Sequence, residues 1–196
     1  MIQRYVYGTV IETDAVLNKP KAETEAPSFF SVDGQAMTFT YHMGAQDRVY
    51  GLGQNVRGIN QRGWIYESKC SDDPNHTEDK RSLYGAHNFL VLDGQERFGV
   101  FIDYPGVLTV DIGYSRYSEL KITASDWNLD CYIITGTDVK DIVKQFRRLI
   151  GELYRPSLGL WLWAEPVGVP ERGRHPHGGE QAPGIGNPIG QRLPGY

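Results

Sequence analysis

The feature that most constrains the fold is a series of five short apolar segments between residues 88 and 134. They are Asn88–Leu92, Phe98–Ile102, Leu108–Ile112, Glu119–Thr123 and Leu129–Ile134. Turn-forming pairs such as Asp93-Gly94 and Pro105-Gly106 separate them. Short strands at this spacing are typical of an antiparallel sandwich. The sequence therefore predicts a mainly β chain folded as an antiparallel β-sandwich.

Further strands are predicted upstream of this series. They are Tyr5–Ile11, Met37–Met43, Val49–Gly53 and a strand that begins at Trp64–Tyr66. Met37–Met43 alternates with period two, which indicates a half-buried strand. Lys19–Pro27 and Ser68–Ser82 are polar and contain proline, so both are predicted to be exposed loops.

One helix is predicted after the strands. Thr137 or Asp138 is suited to cap its N-terminus, and Gly151 is suited to end it. The apolar residues follow helical spacing and form one stripe; they are Val139, Ile142, Val143, Phe146, Leu149 and Ile150. Such a helix packs against the sheet or leads into a following domain.

The composition changes near Ser157. From Ala164 to Tyr196, 14 of 33 residues are glycine or proline, and no apolar period is found. Such a segment buries too little apolar surface to offset its ordering entropy. We therefore predict a β-sandwich over residues 1–136, a linker helix over 137–156 and a disordered tail over 157–196.

Composition argues against several classes of function. The net charge is −4 and basic residues are not clustered, so nucleic-acid binding is not expected. No stretch approaches the roughly 18 apolar residues of a membrane helix, and the first residues lack the apolar region of a signal peptide. Cys70 and Cys131 lie far apart, which favours reduced thiols over a disulfide or metal site. A cytoplasmic protein is expected.

Tyr50-Gly51-Leu52-Gly53-Gln54 resembles the "YGLGE" segment of the N-terminal domain of glycoside hydrolase family 31, the α-glucosidase family. The similarity covers about residues 1–156 and is closest to bacterial intracellular α-glucosidases. It continues, in family order, through Leu83–Phe89, Phe98–Tyr104, Leu129–Gly136 and the helix segment Asp141–Gly151.

This resemblance implies a galactose mutarotase-like β-sandwich that precedes a (β/α)₈ barrel. Family members are retaining α-glucosidases that release terminal α-linked glucose, using two aspartates of the barrel, in line with the general two-carboxylate scheme. No segment here matches the family's nucleophile motif, so no catalytic residue is assigned. We expect no cofactor and no metal, and we expect this domain to support the barrel and to be inactive alone.

One substrate-binding element follows from the resemblance. A family loop that reaches over the mouth of the barrel corresponds to Cys70–Pro74. Asp73 is the predicted sugar-binding residue, with Asp72 as the alternative, because a carboxylate accepts two hydrogen bonds from vicinal hydroxyls. A solvated Asx-Pro turn is the other interpretation. Gln54 stands where the family has Glu, so a charge-dependent role there is not carried over.

The tail has a second interpretation at the level of codons. When the codons from Ser157 are shifted by one base, they permit Pro-Trp-Ala-Phe-Gly-Phe-Gly, which resembles the family's first barrel strand. Pro188–Tyr196 permit a segment similar to the second barrel strand. We therefore expect a one-base insertion or two-base deletion near codons 155–158, or a sequencing error there, and sequencing of that stretch tests it.

Two alternative functions stay open. The first is a free-standing carbohydrate-binding β-sandwich, in which aromatic residues stack on sugars. The second is a mutarotase-like enzyme, for which His87 is the candidate histidine, although no glutamate is evidently paired with it. The expected partner is an α-gluco-oligosaccharide, and a homodimer through the apolar surface that would face the barrel is a further expectation.

Overall fold

The computed structural model describes residues 1–10, 13–25, 31–33 and 37–151. The predicted tail over 157–196 and the end of the predicted linker lie outside these residues. The described part contains strands β1 (Ile2–Tyr7), β2 (Ser31–Asp33), β3 (Thr38–His42), β4 (Arg48–Gly51), β5 (Trp64–Glu67), β6 (Phe89–Asp93), β7 (Arg97–Asp103), β8 (Leu108–Ile112), β9 (Glu119–Ala124) and β10 (Leu129–Thr135), and helix α1 (Val139–Ile150).

The strands form two five-stranded sheets. The first sheet has the order β1-β10-β7-β6-β4 and the second has the order β2-β3-β9-β8-β5. Neighbouring strands in both sheets are antiparallel. A shared apolar core joins their facing sides, with Leu92, Val100 and Ile133 from the first sheet and Leu120 and Ile122 from the second. The predicted mainly β sandwich is confirmed.

The first strand is the one whose predicted bounds differ most from the structure. Tyr5–Ile11 was expected, but β1 ends at Tyr7, because Gly8 takes a φ of +62° and turns the chain. A side chain at Gly8 would also meet Asn128, whose Oδ1 accepts from the Thr9 N–H at 2.7 Å. The short strand β2 was not predicted, and β8 has the predicted bounds.

Helix α1 begins and ends where the sequence indicates. Of the two candidate caps, Asp138 is the N-cap, and its side chain accepts from the Asp141 N–H at 2.8 Å. Gly151 follows the last turn with a φ of +102°. The Leu149 carbonyl accepts from the backbone N–H groups of Leu17 and Asn18 at 3.2 and 3.4 Å, so an upstream segment satisfies the helix end.

The helix packs on the outer face of the first sheet. Phe146 stacks on Phe89 with ring centroids 3.9 Å apart. The helix approaches the sheet over Gly99, where an added Cβ would lie 2.7 Å from Ile142. The second sheet carries no helix within the described residues, and its outer face presents polar side chains such as His42 and Lys121. Accessible polar groups therefore lie on the second sheet and on the loops.

Candidate functional site

A strained turn fixes the relative position of the β4–β5 loop and the β5–β6 loop. Gly51 has a φ of +103° and Leu52 a φ of +65°, a region that side-chain-bearing residues rarely adopt. An added Cβ at Gly51 would lie 2.7 Å from the Phe89 carbonyl oxygen, and one at Gly53 would overlap the Gly85 carbonyl oxygen. Both glycines are therefore required for close backbone approach.

This turn is hydrogen-bonded to the segment before β6. The Gln54 N–H donates to the Gly85 carbonyl at 2.7 Å, and the Leu52 N–H donates to the Phe89 carbonyl at 2.8 Å. The buried Tyr66 hydroxyl accepts from the His87 N–H at 3.0 Å. Strain of this kind persists only where surrounding contacts enforce it. The Gly51–Gly53 turn therefore holds the loop after β4 in a fixed position against the end of the loop that precedes β6.

Arg57 anchors the loop that follows β5. Its guanidinium donates to the Ile65 carbonyl at 3.1 Å and also to the Lys80 carbonyl. The group lies over the Trp64 ring, 4.9 Å from the centroid. Burial lowers the pKa of Arg57, but an arginine stays charged in proteins. A buried cation that holds Lys80 thereby fixes the far end of the loop that contains Asp73.

Asp73 lies in this loop within a network of its own. One carboxylate oxygen accepts from the Asn75 N–H at 2.9 Å, and the other is paired with the Lys80 ammonium. The Lys80 hydrogen bond, followed by the Asn75 hydrogen bond, lowers the pKa of Asp73. An ionised carboxylate has about four acceptor positions, so Asp73 retains capacity for a sugar hydroxyl. Its role as a sugar ligand stays a prediction.

Asp72 lies on the more exposed side of the same loop, beside Tyr84. Partial loss of solvent, and then the charge of Asp72, raise the pKa of Tyr84. The His76 ring contacts the Tyr84 ring edge-on, with centroids 5.4 Å apart. The loop thus presents two carboxylates and one exposed aromatic ring, which is a combination suited to a polyhydroxylated ligand.

His87, the candidate for mutarotase-like chemistry, is in a different environment. Its Nδ1 accepts from the Phe89 N–H at 3.2 Å, and its ring packs edge-on against Phe146. This packing desolvates the imidazole and lowers the pKa of His87. Among the described residues, no glutamate lines the cavity of about 440 Å³ beside it. The histidine that lies opposite a glutamate is instead His42, whose partner across the strands is Glu119.

The two cysteines are both unpaired. Cys70 is exposed, near the start of the Asp73 loop, and Cys131 is buried in strand β10. Burial raises the pKa of the Cys131 thiol, which makes it unreactive. That both thiols stay reduced remains a prediction.

Residues 10–111, just over half of the chain, match the family model described as the glycosyl hydrolase 31 N-terminal galactose mutarotase-like domain. The chain belongs to glycoside hydrolase family 31 and contains its N-terminal β-sandwich. The family and fold expected from the sequence are confirmed, and the Gly51–Gly53 turn lies within the matched residues.

Two curated relatives are α-xylosidases. The α-xylosidase XylQ of Lactiplantibacillus pentosus is 24% identical over 123 residues, which span 61% of this chain and 16% of the relative. An α-xylosidase of Emericella nidulans is 22% identical over 149 residues, which span 73% of this chain and 18% of the relative. The chain thus spans about a sixth of the length of the curated relatives it matches.

Solved structures show the same fold. A Flavobacterium johnsoniae dextranase of family 31, in complex with isomaltotriose, superposes with a TM-score of 0.58 at 22% identity, covering 67% of this chain and 16% of that one. A cycloalternan-degrading enzyme from Trueperella pyogenes, in complex with isomaltose, gives a TM-score of 0.51 at 12% identity over 61% of this chain and 18% of that one. At these identities the likeness supports the fold alone.

The described residues contain no helix long and apolar enough to cross a membrane. The helix that they contain, α1, has 12 residues.

Proposed function

We propose that this chain is the N-terminal domain of a retaining family 31 α-glucosidase, which releases terminal α-linked glucose from oligosaccharides. In this proposal the sandwich supports a catalytic barrel and the loop after β5 contributes Asp73 to the sugar site. The observation that carries the proposal is the fixed loop: Arg57 and the Gly51–Gly53 turn hold it, and the Lys80 ion pair orients the Asp73 carboxylate. Preorganised hydrogen-bonding groups are typical of substrate-positioning elements.

The choice of sugar is the finer part of the proposal. Glucose and xylose differ by the hydroxymethyl group at C5, so a family 31 enzyme distinguishes them by the space and polar groups around that position. The resemblance of residues 50–54 and 83–89 favours an α-glucosidase, whereas the curated relatives are α-xylosidases. Hydrolysis of matched p-nitrophenyl α-glucoside and α-xyloside substrates distinguishes the two.

The direct experiment uses the coding DNA. We expect the 196-residue chain to be inactive, and we expect a version with one base deleted near codons 155–158 to hydrolyse p-nitrophenyl α-glucoside. In that longer version, Asp73→Asn is expected to raise KM by about tenfold, consistent with loss of a charge-assisted hydrogen bond. Turnover by the 196-residue chain, or no activity in the longer version, would contradict the proposal.

Two further expectations belong to this proposal. The exposed apolar residues Val56 and Ile59 lie in the β4–β5 loop. They support association with a second copy of the chain. Sedimentation of the chain and of its Ile59→Ser variant tests this association.

The unpaired thiols Cys70 and Cys131 support a cytoplasmic location, which fractionation of the source cells tests.

A further inference from the structure

We propose that the outer face of the second sheet carries a binding cleft for a neutral oligosaccharide, separate from the Asp73 loop. The cleft has a volume of about 440 Å³, which lies within the range of small-molecule sites. It is lined by residues of β3, β8, β9 and the β8–β9 connection: Thr40, His42, Asp111, Ser115, Arg116, Glu119 and Lys121. None of these residues lies in the loop after β5.

Strand register brings complementary groups together in this cleft. His42 of β3 lies directly opposite Glu119 of β9, and Thr40 lies opposite Lys121. On the other side of β9, Lys121 lies opposite Asp111 of β8. Since directly paired side chains on one face are about 5 Å apart, donors and acceptors alternate across three strands. Sugar hydroxyls act as both donors and acceptors and fit such an array.

Several of these groups are available to a ligand. The side chains of His42 and Lys121 are exposed and have no hydrogen-bond or ion-pair partner within the described part of the chain. Glu119 pairs with Arg116 through Oε1 at 3.0 Å, and its second carboxylate oxygen has no donor within the described part of the chain. Asp111 has a structural task, because its carboxylate accepts from the backbone N–H groups of the following turn.

The charge of the cleft favours a neutral ligand. Asp111 and Glu119 supply two negative charges, and Arg116 and Lys121 supply two positive charges. A site for phosphate or for a nucleic acid would need an excess of positive charge. These two negative and two positive side chains instead provide many hydrogen-bonding groups with little net charge.

A rigid aromatic turn adjoins the cleft. Tyr114 and Tyr117, which are 63% and 64% exposed, flank the cleft residues Ser115 and Arg116. Arg62 stabilises this turn: its guanidinium lies 4.0 Å from the centroid of the Tyr117 ring and donates to the Tyr117 carbonyl at 2.8 Å. Exposed aromatic rings held in place bind apolar sugar faces at low entropic cost.

The test is a nuclear magnetic resonance titration of the full 196-residue chain with isomaltotriose. We expect a dissociation constant on the order of 1 mM, with shift changes at the backbone amides of β9 and of residues 113–118. Lys121→Met and His42→Ala each remove one hydrogen-bonding group and are expected to weaken binding about tenfold. Because both side chains are exposed, the amide spectrum of each variant should retain the dispersion of the folded chain.

Matched variants separate this cleft from the Asp73 loop. Lys140→Met, on the exposed side of α1, should leave the dissociation constant unchanged. Absence of binding up to about 20 mM, or weakening by Asp73→Asn and not by Lys121→Met, would overturn the cleft while leaving the proposed enzyme function intact. Tighter binding of glucose 6-phosphate than of isomaltotriose would overturn the proposal that the cleft prefers a neutral ligand.

Discussion

The two sheets of this domain differ in how many of their faces are covered. In the first sheet, β7 and β10 are buried at nearly every position, because the second sheet covers one face and helix α1 covers the other. In the second sheet, β8 and β9 alternate between buried and partly exposed or exposed residues. Strands buried on both faces read as continuous apolar runs, and strands buried on one face read as alternation.

This difference assigns separate roles to the two outer faces: that of the first sheet contributes to folding stability, and that of the second sheet is free to bind a ligand. Substitutions on the outer face of the first sheet act within a packed layer, so they should change the free energy of unfolding. Substitutions on the outer face of the second sheet meet solvent, so they should change ligand binding with little effect on stability.

The largest effect is expected for Phe146→Ala. Phe146 is 5% exposed, stacks on Phe89 and also contacts Phe101. Removal of a buried phenyl ring lowers the free energy of unfolding by about 3–5 kcal/mol. Urea denaturation measures the change, and Val143→Ala, on the exposed side of the same helix, is the control with about 0.5 kcal/mol or less. Similar losses in both variants would show that the helix does not cover the sheet.

The second effect concerns the ion pair on the first sheet. The Arg4 guanidinium contacts the Asp130 carboxylate at 2.7–2.9 Å, and the Tyr132 hydroxyl donates to the same carboxylate at 2.8 Å. Arg4→Ala leaves the fully buried Asp130 carboxylate without its cation and is expected to destabilise the fold by about 3 kcal/mol. Arg97→Ala, which breaks the more exposed pair with Asp93, should lower the free energy of unfolding by about 1 kcal/mol or less. A larger loss in Arg97→Ala than in Arg4→Ala would contradict the greater importance of the buried ion pair.

The third prediction exchanges equivalent groups between the sheets. Val91→Thr places a hydroxyl on the covered outer face of the first sheet, where Val91 is 3% exposed, and should cost about 1–3 kcal/mol. Thr109→Val makes the opposite exchange on the outer face of the second sheet, where Thr109 is partly exposed. It should change stability by about 0.5 kcal/mol or less. Equal costs for the two variants would remove the distinction between the sheets.

Much of this fold could be predicted from local sequence patterns. The five segments between residues 88 and 134 and the capped helix have strong periodicity and clear turn residues, so their type and order were confirmed. The start of the first strand was placed too late, because its outward residue Arg4 is charged and its ion-pair partner Asp130 lies 126 residues away. Such a long-range partner leaves no local signal.

The candidate sites were less accessible to sequence analysis. The resemblance pointed to Asp72 and Asp73, but the partners Arg57 and Lys80 lie in aperiodic segments and become neighbours only when the loop folds back. The cleft on the outer face of the second sheet was not predicted from the sequence either, although the alternation in Glu119–Thr123 does put Glu119 and Lys121 on one face. What the sequence lacks is the register that sets His42 opposite Glu119.

The smallest predicted effect is a pH dependence at the edge of the covered sheet. Packing against Phe146 lowers the pKa of His87 below its ordinary value of 6.5, so the unfolded chain binds this proton more tightly than the folded chain. Stability is therefore complete above about pH 6.5 and decreases as the pH falls below it. The loss should be small, because much of the His87 side chain stays in solvent. Urea midpoints between pH 7.5 and 5 measure it, above the range where Glu67 and Asp73, with their lowered pKa values, take up protons. His87→Gln should flatten the profile in that window, and an unchanged slope in this variant would assign the dependence to another group.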